Sequence, residues 1–505
     1  MSVISPTRAG QREWIALGVL MLPVLLVSVD NTVLAFALPE ISQVLRPTGN
    51  QLMWIVDLYA LMLAGLLIAM GSLGDRIGRR RLLLIGSVGF GLASALAAFS
   101  ASAEMLIFSR ALLGFFGATL MPSTLSLIRN IFINDRDRRL AIATWAAMFS
   151  GGAVLGPVVG GYLLEHFWWG SVFLINVPLI LVFIPAALWV IPESSDPNPG
   201  RFDPISIVLS LTAMVPLVFA IKHGASHGLD DTVLAALALG VGSGWAFVRR
   251  QRTSTSPLLD LSLFKNPVFS GALVANALSL MGLAGFLYFG AQLLQLVLGL
   301  SPLESALVLV PGLFATMIAG FAAVRLVEKV PVRVLVPMSF LLSSVGYAMA
   351  AFTGHPTVVS VAVAFTVLGI GIGLAETITN DLILSSVPPQ KAGAASAISE
   401  TAYEIGAVLG TAVLGSVLTA TFRQNLTIPA VAKFGENENA FETLGSTMAF
   451  ADDFTAPVQG LLRDSATAAF DLGVQYTAGA AIVVAATAAF VSWRTLRHAH
   501  ADLSQ

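Results

Sequence analysis

The sequence lacks cysteine and has little charge. None of its 505 residues is Cys, which excludes disulfides, thiolate metal ligands and cysteine nucleophiles. Asp, Glu, Lys and Arg make up only 11% of the chain, whereas soluble globular proteins average about 25%. Charge this sparse cannot cover the surface of a water-soluble particle, so most of the surface must face lipid. The formal net charge of −2 also argues against a nucleic-acid partner.

Hydrophobic residues account for 56% of the chain, and they are concentrated in long runs. A helix that spans a bilayer needs roughly 20 apolar residues. The sequence therefore predicts an all-α polytopic membrane protein with 14 transmembrane helices. Their approximate bounds are 14–38, 52–73, 82–101, 105–127, 140–163, 171–191, 204–222, 232–248, 267–290, 303–324, 334–353, 357–383, 393–421 and 471–493.

Lys and Arg are unevenly distributed between the predicted loops. If the N-terminus lies inside, most of the 27 Lys and Arg fall in inside segments, which is the bias that cytoplasmic loops show. Both termini are then cytoplasmic, and the number of spans is even. Twelve spans would meet this condition too, if 204–222 and 232–248 were re-entrant. The cations assigned to outside segments are Arg46, Lys222, Arg423, Lys433 and Arg463.

Two polar stretches divide the chain. Residues 192–203 are rich in Pro, Ser and Asp and are interpreted as a linker. Residues 422–470 are too polar to span a membrane and are predicted to face outside, as a hairpin or as short helices. The predicted organisation is an N-terminal six-helix half at 1–191, a linker with an inserted helix pair at 192–250, and a C-terminal six-helix half at 251–505. Transporters are often built from such repeated halves.

The loop between the second and third spans carries a recognisable motif. Residues 71–80 read GSLGDRIGRR and resemble the signature loop of the major facilitator superfamily, GxLxDRxGRR. Glycines allow a tight turn, and a carboxylate can pair with arginine or with a helix N-terminus. The motif therefore predicts a gate at the inner face, although a plain cluster of orienting arginines is the alternative. The matched positions are Gly71, Asp75, Arg76, Gly78, Arg79 and Arg80.

The fifth span contains a second motif. Residues 152–161 read GAVLGPVVGG and resemble the antiporter motif GxxxGPxxGG, which is typical of exporters in that superfamily. Small residues four apart let two helix backbones pack closely, and the alternative interpretation is packing of this general kind. The motif favours export over uptake. The matched positions are Gly152, Gly156, Pro157, Gly160 and Gly161.

Three further segments resemble motifs of one particular family within that superfamily. Residues 30–39 (DNTVLAFALP) resemble the first-helix motif DxTVxxxALP of the fourteen-helix drug:proton antiporter family. Residues 106–114 resemble that family's LxxxRxxQG, with Leu113 in place of glutamine, and 167–178 resemble WRWxFxINVP without its arginine. The chain is thus similar to bacterial efflux pumps for quaternary ammonium compounds and dyes. This resemblance implies the major facilitator fold in a 6+2+6 layout, in the bacterial cytoplasmic (inner) membrane.

Five ionisable side chains fall inside predicted spans: Asp30, Asp57, Arg110, Glu400 and Glu404. Charged groups are costly within a bilayer and are candidates for function by default. The two glutamates are four residues apart and share one helix face. A proton and a cationic substrate can compete for such carboxylates, so we predict these residues to couple protons to cation binding.

Each of these residues also has a purely structural explanation. Asp57 could be a boundary charge near water, and Asp30 could hydrogen-bond a helix end. The two glutamates could form a buried interhelical hydrogen bond. Arg110 could serve as a counter-ion for Asp30 or for a backbone carbonyl. Glu376, towards the inner end of its span, is predicted to be interfacial.

Aromatic side chains could bind a flat cation through cation–π contacts. For any one of them, lipid-facing or packing roles are the alternative, because the chain has 30 Phe. The candidates by depth are Trp54, Trp145, Phe149, Phe286, Tyr288 and Phe289.

The motifs and the intramembrane acids together predict a proton-coupled multidrug antiporter that exports lipophilic cations by alternating access. The expected partners are small lipophilic cations, protons and membrane lipids, and the expected functional unit is a monomer. No cofactor and no metal are expected, and no GxxxxGK[ST] motif for ATP occurs. The alternative is an exporter of a native lipid-like or other metabolite, with drug efflux incidental. A membrane enzyme is disfavoured because no catalytic constellation appears.

Overall fold

The computed structural model describes residues 8–196, 203–254, 257–352, 356–388, 391–429 and 438–496. Helices dominate these ranges, which contain no strand. The helices are α1 Gln11–Val44, α2 Gly49–Ile77, α3 Arg79–Ala98, α4 Ala103–Ile131, α5 Asp135–His166, α6 Ser171–Leu174, α7 Asn176–Val190, α8 Pro204–His227, α9 Asp231–Thr253, α10 Pro267–Gln292, α11 Pro302–Leu326, α12 Val332–Phe352, α13 Val358–Ser385, α14 Ala392–Leu409, α15 Ser416–Asn425, α16 Leu444–Ala451 and α17 Ala456–Thr495. The chain also has two π-helical stretches. Leu293–Val297 continues α10, and Gly410–Gly415 joins α14 to α15.

Polar side chains fix where several helices begin. At the start of α2, the Thr48 hydroxyl accepts a hydrogen bond from the Gln51 N–H, and the Gln51 side chain accepts one from the Thr48 N–H at 2.9 Å. Ser301 and Glu304 form the same reciprocal pair at the start of α11. These capping boxes satisfy N–H groups that a helix's first turn leaves unpaired.

Fourteen helices in the described residues are long and apolar enough to cross a membrane, which confirms the predicted number of spans. Several helices extend beyond their predicted bounds, and the differences are largest at the end of α1 and the start of α17. α1 runs past Pro39 to Val44 because Ile41 and Ser42 are buried and α16 packs against this end. α17 begins at Ala456 rather than 471 because its first turns already bury an apolar side. The segment 422–470 is therefore largely helical where it is described.

The helices form two groups with an additional pair at the side. α1 packs on α5 and α7, and α2 and α3 pack on α4. In the second group, α13 packs on α10, α11 and α12, while α17 packs on α12 and α15. The groups meet where α5 contacts α11, α2 contacts α14 and α1 contacts α10. α8 and α9 pack on each other, and α8 also contacts α2 and α15.

The loops at each end of the helices identify two faces of the bundle. At one face, the Asp196 N–H donates to the Asp75 carbonyl at 2.9 Å, and Lys391 Nζ lies 2.7 Å from Asp260 Oδ2. We call this the arginine-rich face; α1 begins there and α17 ends there. We call the other end the opposite face.

The two groups of helices are in close contact at the opposite face. A Cβ added to Gly161 would lie 2.7 Å from Leu303 Cα, and one added to Gly49 would lie 2.4 Å from Thr419 Cγ2. The Gln295 amide also donates to the Phe36 carbonyl at 3.1 Å. These contacts join the two groups of helices at the opposite face.

Candidate functional site

A central cavity lies between the two groups of helices. Its empty volume is about 800 Å³, including space open to solvent. The wall is mostly apolar and is formed by α1, α2, α4, α10 and α14. Its polar and aromatic side chains are Asn31, Thr32, Asp57, Tyr59, Arg110, Tyr288, Tyr403, Glu404 and Thr411.

Asp30 and Arg110 form a buried ion pair beside this cavity. Arg110 Nη1 lies 2.7 Å from Asp30 Oδ2, and the two side chains are 2% and 0% exposed. The Arg110 Nε–H also donates to the Ile55 carbonyl at 3.0 Å, and the guanidinium lies 4.3 Å from the centre of the Tyr59 ring. Arg110 is thus a counter-ion for Asp30 and also binds a backbone carbonyl. Asp30 Oδ1 has no hydrogen-bond partner among the described residues.

Asp57 forms the second buried ion pair, and its partner corrects the sequence analysis. Lys222 Nζ lies 2.7 Å from Asp57 Oδ2, with the side chains 0% and 1% exposed. The same amino group lies 4.1 Å from the centre of the Trp54 ring. Asp57 also accepts a hydrogen bond from the Thr411 hydroxyl. Lys222 was assigned to an outside loop and Asp57 was weighed as a boundary charge, whereas both are buried.

The acids of α13 and α14 have no such partners. Glu404 is 4% exposed and lines the cavity. Glu376 and Glu400 are half-buried and close enough to each other to interact electrostatically. Within the described ranges, none of the three carboxylates makes a hydrogen bond or an ion pair at contact distance, although Arg110 attracts Glu404 from further away. Glu376 lies in the second half of α13, which packs against α14, and its interfacial position stays a prediction.

The candidate aromatic residues lie in different environments. Tyr288 lines the cavity, and Trp54 covers Lys222. Trp145 and Phe149 stack with ring centres 6.1 Å apart, and Phe149 meets Tyr403 edge-on at 6.4 Å. These contacts connect α5 to the acid-bearing α14.

Of the six aromatic candidates, Tyr288 alone is in the cavity lining, and two others lie deep inside the second group of helices. Phe286 and Phe289 are completely buried, and Phe286 stacks on Phe365 with ring centres 4.9 Å apart. Both rings pack inside the second group of helices. The structure therefore gives these two residues a packing position and not a place on the cavity wall.

The glycines of residues 152–161 set how closely α5 approaches α1. A Cβ at Gly156 would lie 2.0 Å from Thr32 Oγ1, and one at Gly160 would lie 2.3 Å from Val33 Cγ2. At Gly152 the nearest atom is Ser28 Cβ at 2.8 Å. These three glycines therefore lie on one side of α5, which packs closely against the part of α1 that carries Asp30. Pro157 lies within the same stretch of α5, and Gly161 faces α11 instead.

The arginine-rich loop is folded around the segment after α7. Gly78 has a φ of 106°, and a Cβ there would lie 2.8 Å from the Glu193 carboxylate. Arg79 lies 2.8 Å from Asp75, and Arg80 donates to the Ile191 carbonyl at 2.9 Å. Residues 192–196, predicted as the start of a linker, are thus bound by the motif. Gly71, at ordinary contact distance from Pro122, and Arg76, in the last turn of α2, complete the matched positions.

Sequence reasoning missed Lys222, Tyr59 and Tyr403 as parts of the site. Lys222 is the most informative omission, because a lysine near the end of an apolar helix is expected to extend its amino group towards water. The sequence ended this span at residue 222, whereas α8 continues to His227, so Lys222 lies within the helix and not at its end. Among the described residues, no group of His, Cys, Asp and Glu could hold a metal ion.

Comparison with known proteins identifies the family. The family sequence model described as Major Facilitator Superfamily matches residues 20–411 of this chain. The chain belongs to the Major Facilitator Superfamily. It is 53% identical over 489 residues to the multidrug efflux pump LfrA of Mycolicibacterium smegmatis, covering 96% of this chain and 97% of LfrA. It is 36% identical to the methyl viologen resistance protein SmvA of Salmonella typhimurium, with 91% and 93% covered.

Solved structures of this superfamily show the same fold. A bacterial homologue of the human lysosomal transporter Spinster matches with a TM-score of 0.67 at 19% identity, covering 97% of this chain and 98% of that one. The nucleoside transporter NupG matches with a TM-score of 0.62 at 13% identity, with 94% and 99% covered. The protein is therefore a multi-pass membrane transporter and not an enzyme.

Proposed function

We propose that this transporter exports lipophilic cations in exchange for protons, with Glu404 as the group that binds either one. The observation that carries the proposal is that Glu404 lines the central cavity without an ion-pair partner, whereas Asp57 in the same wall is paired. A carboxylate in a mostly apolar wall is stabilised by a cation or by a proton, and binding of one displaces the other. Exchange of this kind needs no covalent step.

The relatives support export as the direction of transport. LfrA is named a multidrug efflux pump, and SmvA is named for resistance to methyl viologen, an organic cation with two positive charges. Two further unpaired acids, Glu376 and Glu400, lie between Glu404 and the exposed end of α13. Asn380 and Asp381 are exposed there. This arrangement offers a path for protons between the cavity and the arginine-rich face.

The orientation follows from the distribution of positive charge. We place the arginine-rich face, with both termini, in the cytoplasm of a bacterial cell, in accordance with the positive-inside rule. The close contacts at the opposite face then lie outside, and the cavity accepts substrate from the cytoplasm. The membrane potential contributes about 2.3 kcal/mol per charge moved across 100 mV, so it drives any exchange in which more positive charge enters than leaves.

Efflux of a fluorescent cation such as ethidium from loaded cells tests the proposal. Cells that express the protein should extrude the dye faster than cells without it, and an uncoupler should abolish the difference. Glu404→Gln should abolish efflux, because the amide cannot exchange a proton. Glu165→Gln is the matched control, since Glu165 is an exposed acid near the end of α5. Efflux that persists with the uncoupler, or at full rate in Glu404→Gln, would refute the proposal.

A further inference from the structure

The inserted helix α8 packs over the boundary between the two groups of helices. Its apolar residue Val218 belongs to a small buried cluster with Leu61 of α2 and Val408 of α14. Closer to the arginine-rich face, a Cβ on Gly65 of α2 would lie 2.4 Å from Leu211 Cδ2 of α8. α8 therefore contacts the helices that form the wall of the cavity and is more than a peripheral addition.

The charged end of Lys222 is built into this wall. Lys222 lies about 8 Å from the end of α8, at 1.5 Å per residue, and could have reached the opposite face. Its amino group instead lies between Asp57 and the Trp54 ring, with no exposed surface. Asp57 in turn binds Thr411 in the π-helical stretch after α14. One ion pair thus connects α2, α8 and the helix that carries Glu404.

The charges around the cavity nearly cancel. The ionisable acids and cations in the lining, apart from tyrosines, are Asp57, Arg110 and Glu404, and the first two have Lys222 and Asp30 as partners. When all are ionised, three carboxylates face two cations, which leaves one negative charge. Glu376 and Glu400 lie outside the lining. Counted over the lining residues and their two ion-pair partners, the cavity wall therefore carries the charge of one carboxylate.

We propose that Lys222 is a specificity-determining residue: it acts as a tethered counter-ion that limits the cavity to cations of single charge. This inference rests on the proposed function, because it names the charge of the substrate that binds at Glu404. With Lys222 neutralised, Asp57 would become a second unpaired carboxylate in the same cavity. A cation with two positive charges would then be balanced at Asp57 and Glu404 together.

Equilibrium binding of two probes to the purified full-length protein in detergent tests this directly. The probes are ethidium, with one positive charge, and methyl viologen, with two. The measured quantity is the ratio of their dissociation constants. Lys222→Met keeps the length and apolar stem of the side chain, and it should shift the ratio towards methyl viologen by about tenfold or more, the effect of one close charge pair. Lys329→Met, at an exposed lysine between α11 and α12, should leave the ratio unchanged.

Two further variants keep the test decisive if Lys222→Met does not fold. Asp57→Asn leaves Lys222 as an uncompensated cation and should weaken binding of both probes. Asp57→Asn combined with Lys222→Met removes both charges and should restore the ethidium affinity and the original ratio. A folded Lys222→Met protein with an unchanged ratio would overturn the inference, and so would a double variant that binds ethidium as poorly as Asp57→Asn. Because binding is measured without a proton gradient, these results do not depend on whether the wild-type protein exchanges cations for protons.

Discussion

The acids of the two groups of helices differ in one respect, which is whether the fold supplies a counter-ion. Asp30 on α1 and Asp57 on α2 are each 2.7 Å from a buried cation. Glu376 on α13, and Glu400 and Glu404 on α14, have no such cation among the described residues. The paired acids have a counter-ion within the protein, whereas the unpaired acids do not. The proposed function places proton and cation exchange at the unpaired acids.

Removal of a counter-ion from the paired acids should have the largest effect. Arg110→Met leaves Asp30 buried and unpaired, and breaking a buried pair in this way costs about 3–5 kcal/mol. We expect a large loss of folded protein, measured by the thermal unfolding midpoint in detergent and by yield. Asp30→Asn combined with Arg110→Met removes both charges and should recover most of the folded protein. An Arg110→Met protein as stable as the wild type would show that the pair has no structural role.

Removal of an unpaired acid should have the reverse effect on stability. Glu404→Leu eliminates a buried ionisable group that has no partner, and replacement by an apolar side chain removes its desolvation penalty of about 1–3 kcal/mol. We expect the unfolding midpoint to stay the same or rise while cation efflux is lost. Thermal unfolding and dye efflux measured on one preparation give both values. A fall in the midpoint comparable to that of Arg110→Met would remove the distinction between the two sets of acids.

The smallest effect is expected at an exposed ion pair that holds the start of α14. The Lys391 ammonium and the Ser262 hydroxyl donate hydrogen bonds to the Asp260 carboxylate. These bonds lower the pKa of Asp260 from 3.8 to about 2. Because this pKa is lowered by folding, the stabilisation is complete above pH 3.8 and is lost as the pH falls towards 2.

Asp260→Asn should therefore reduce the free energy of unfolding by about 1 kcal/mol or less, by the same amount at every pH between 5 and 8. Chemical unfolding of both proteins across this range measures the difference. A difference that grows or vanishes within this range would mean that another titrating group controls the helix start.

Sequence reasoning predicted those parts of the molecule that depend on local pattern. Hydropathy and loop charge predicted the spans, and the spacing of Glu400 and Glu404 on one helix face placed two acids together. The Asp57–Lys222 pair could not be predicted, because it depends on how α8 packs across α2. Phe286 and Phe289 lie on α10, which is apolar all round, so its sequence does not show which side faces the core.

The most direct test of the account is the number of protons released when a cation binds. Addition of ethidium to purified protein in a weakly buffered solution with a pH indicator measures this number. We expect the wild-type protein to release protons on binding at a pH where Glu404 is protonated, and Glu404→Gln to release none at saturating ethidium. Equal release from Glu404→Gln, or binding to the wild-type protein without release at any pH, would contradict exchange at Glu404.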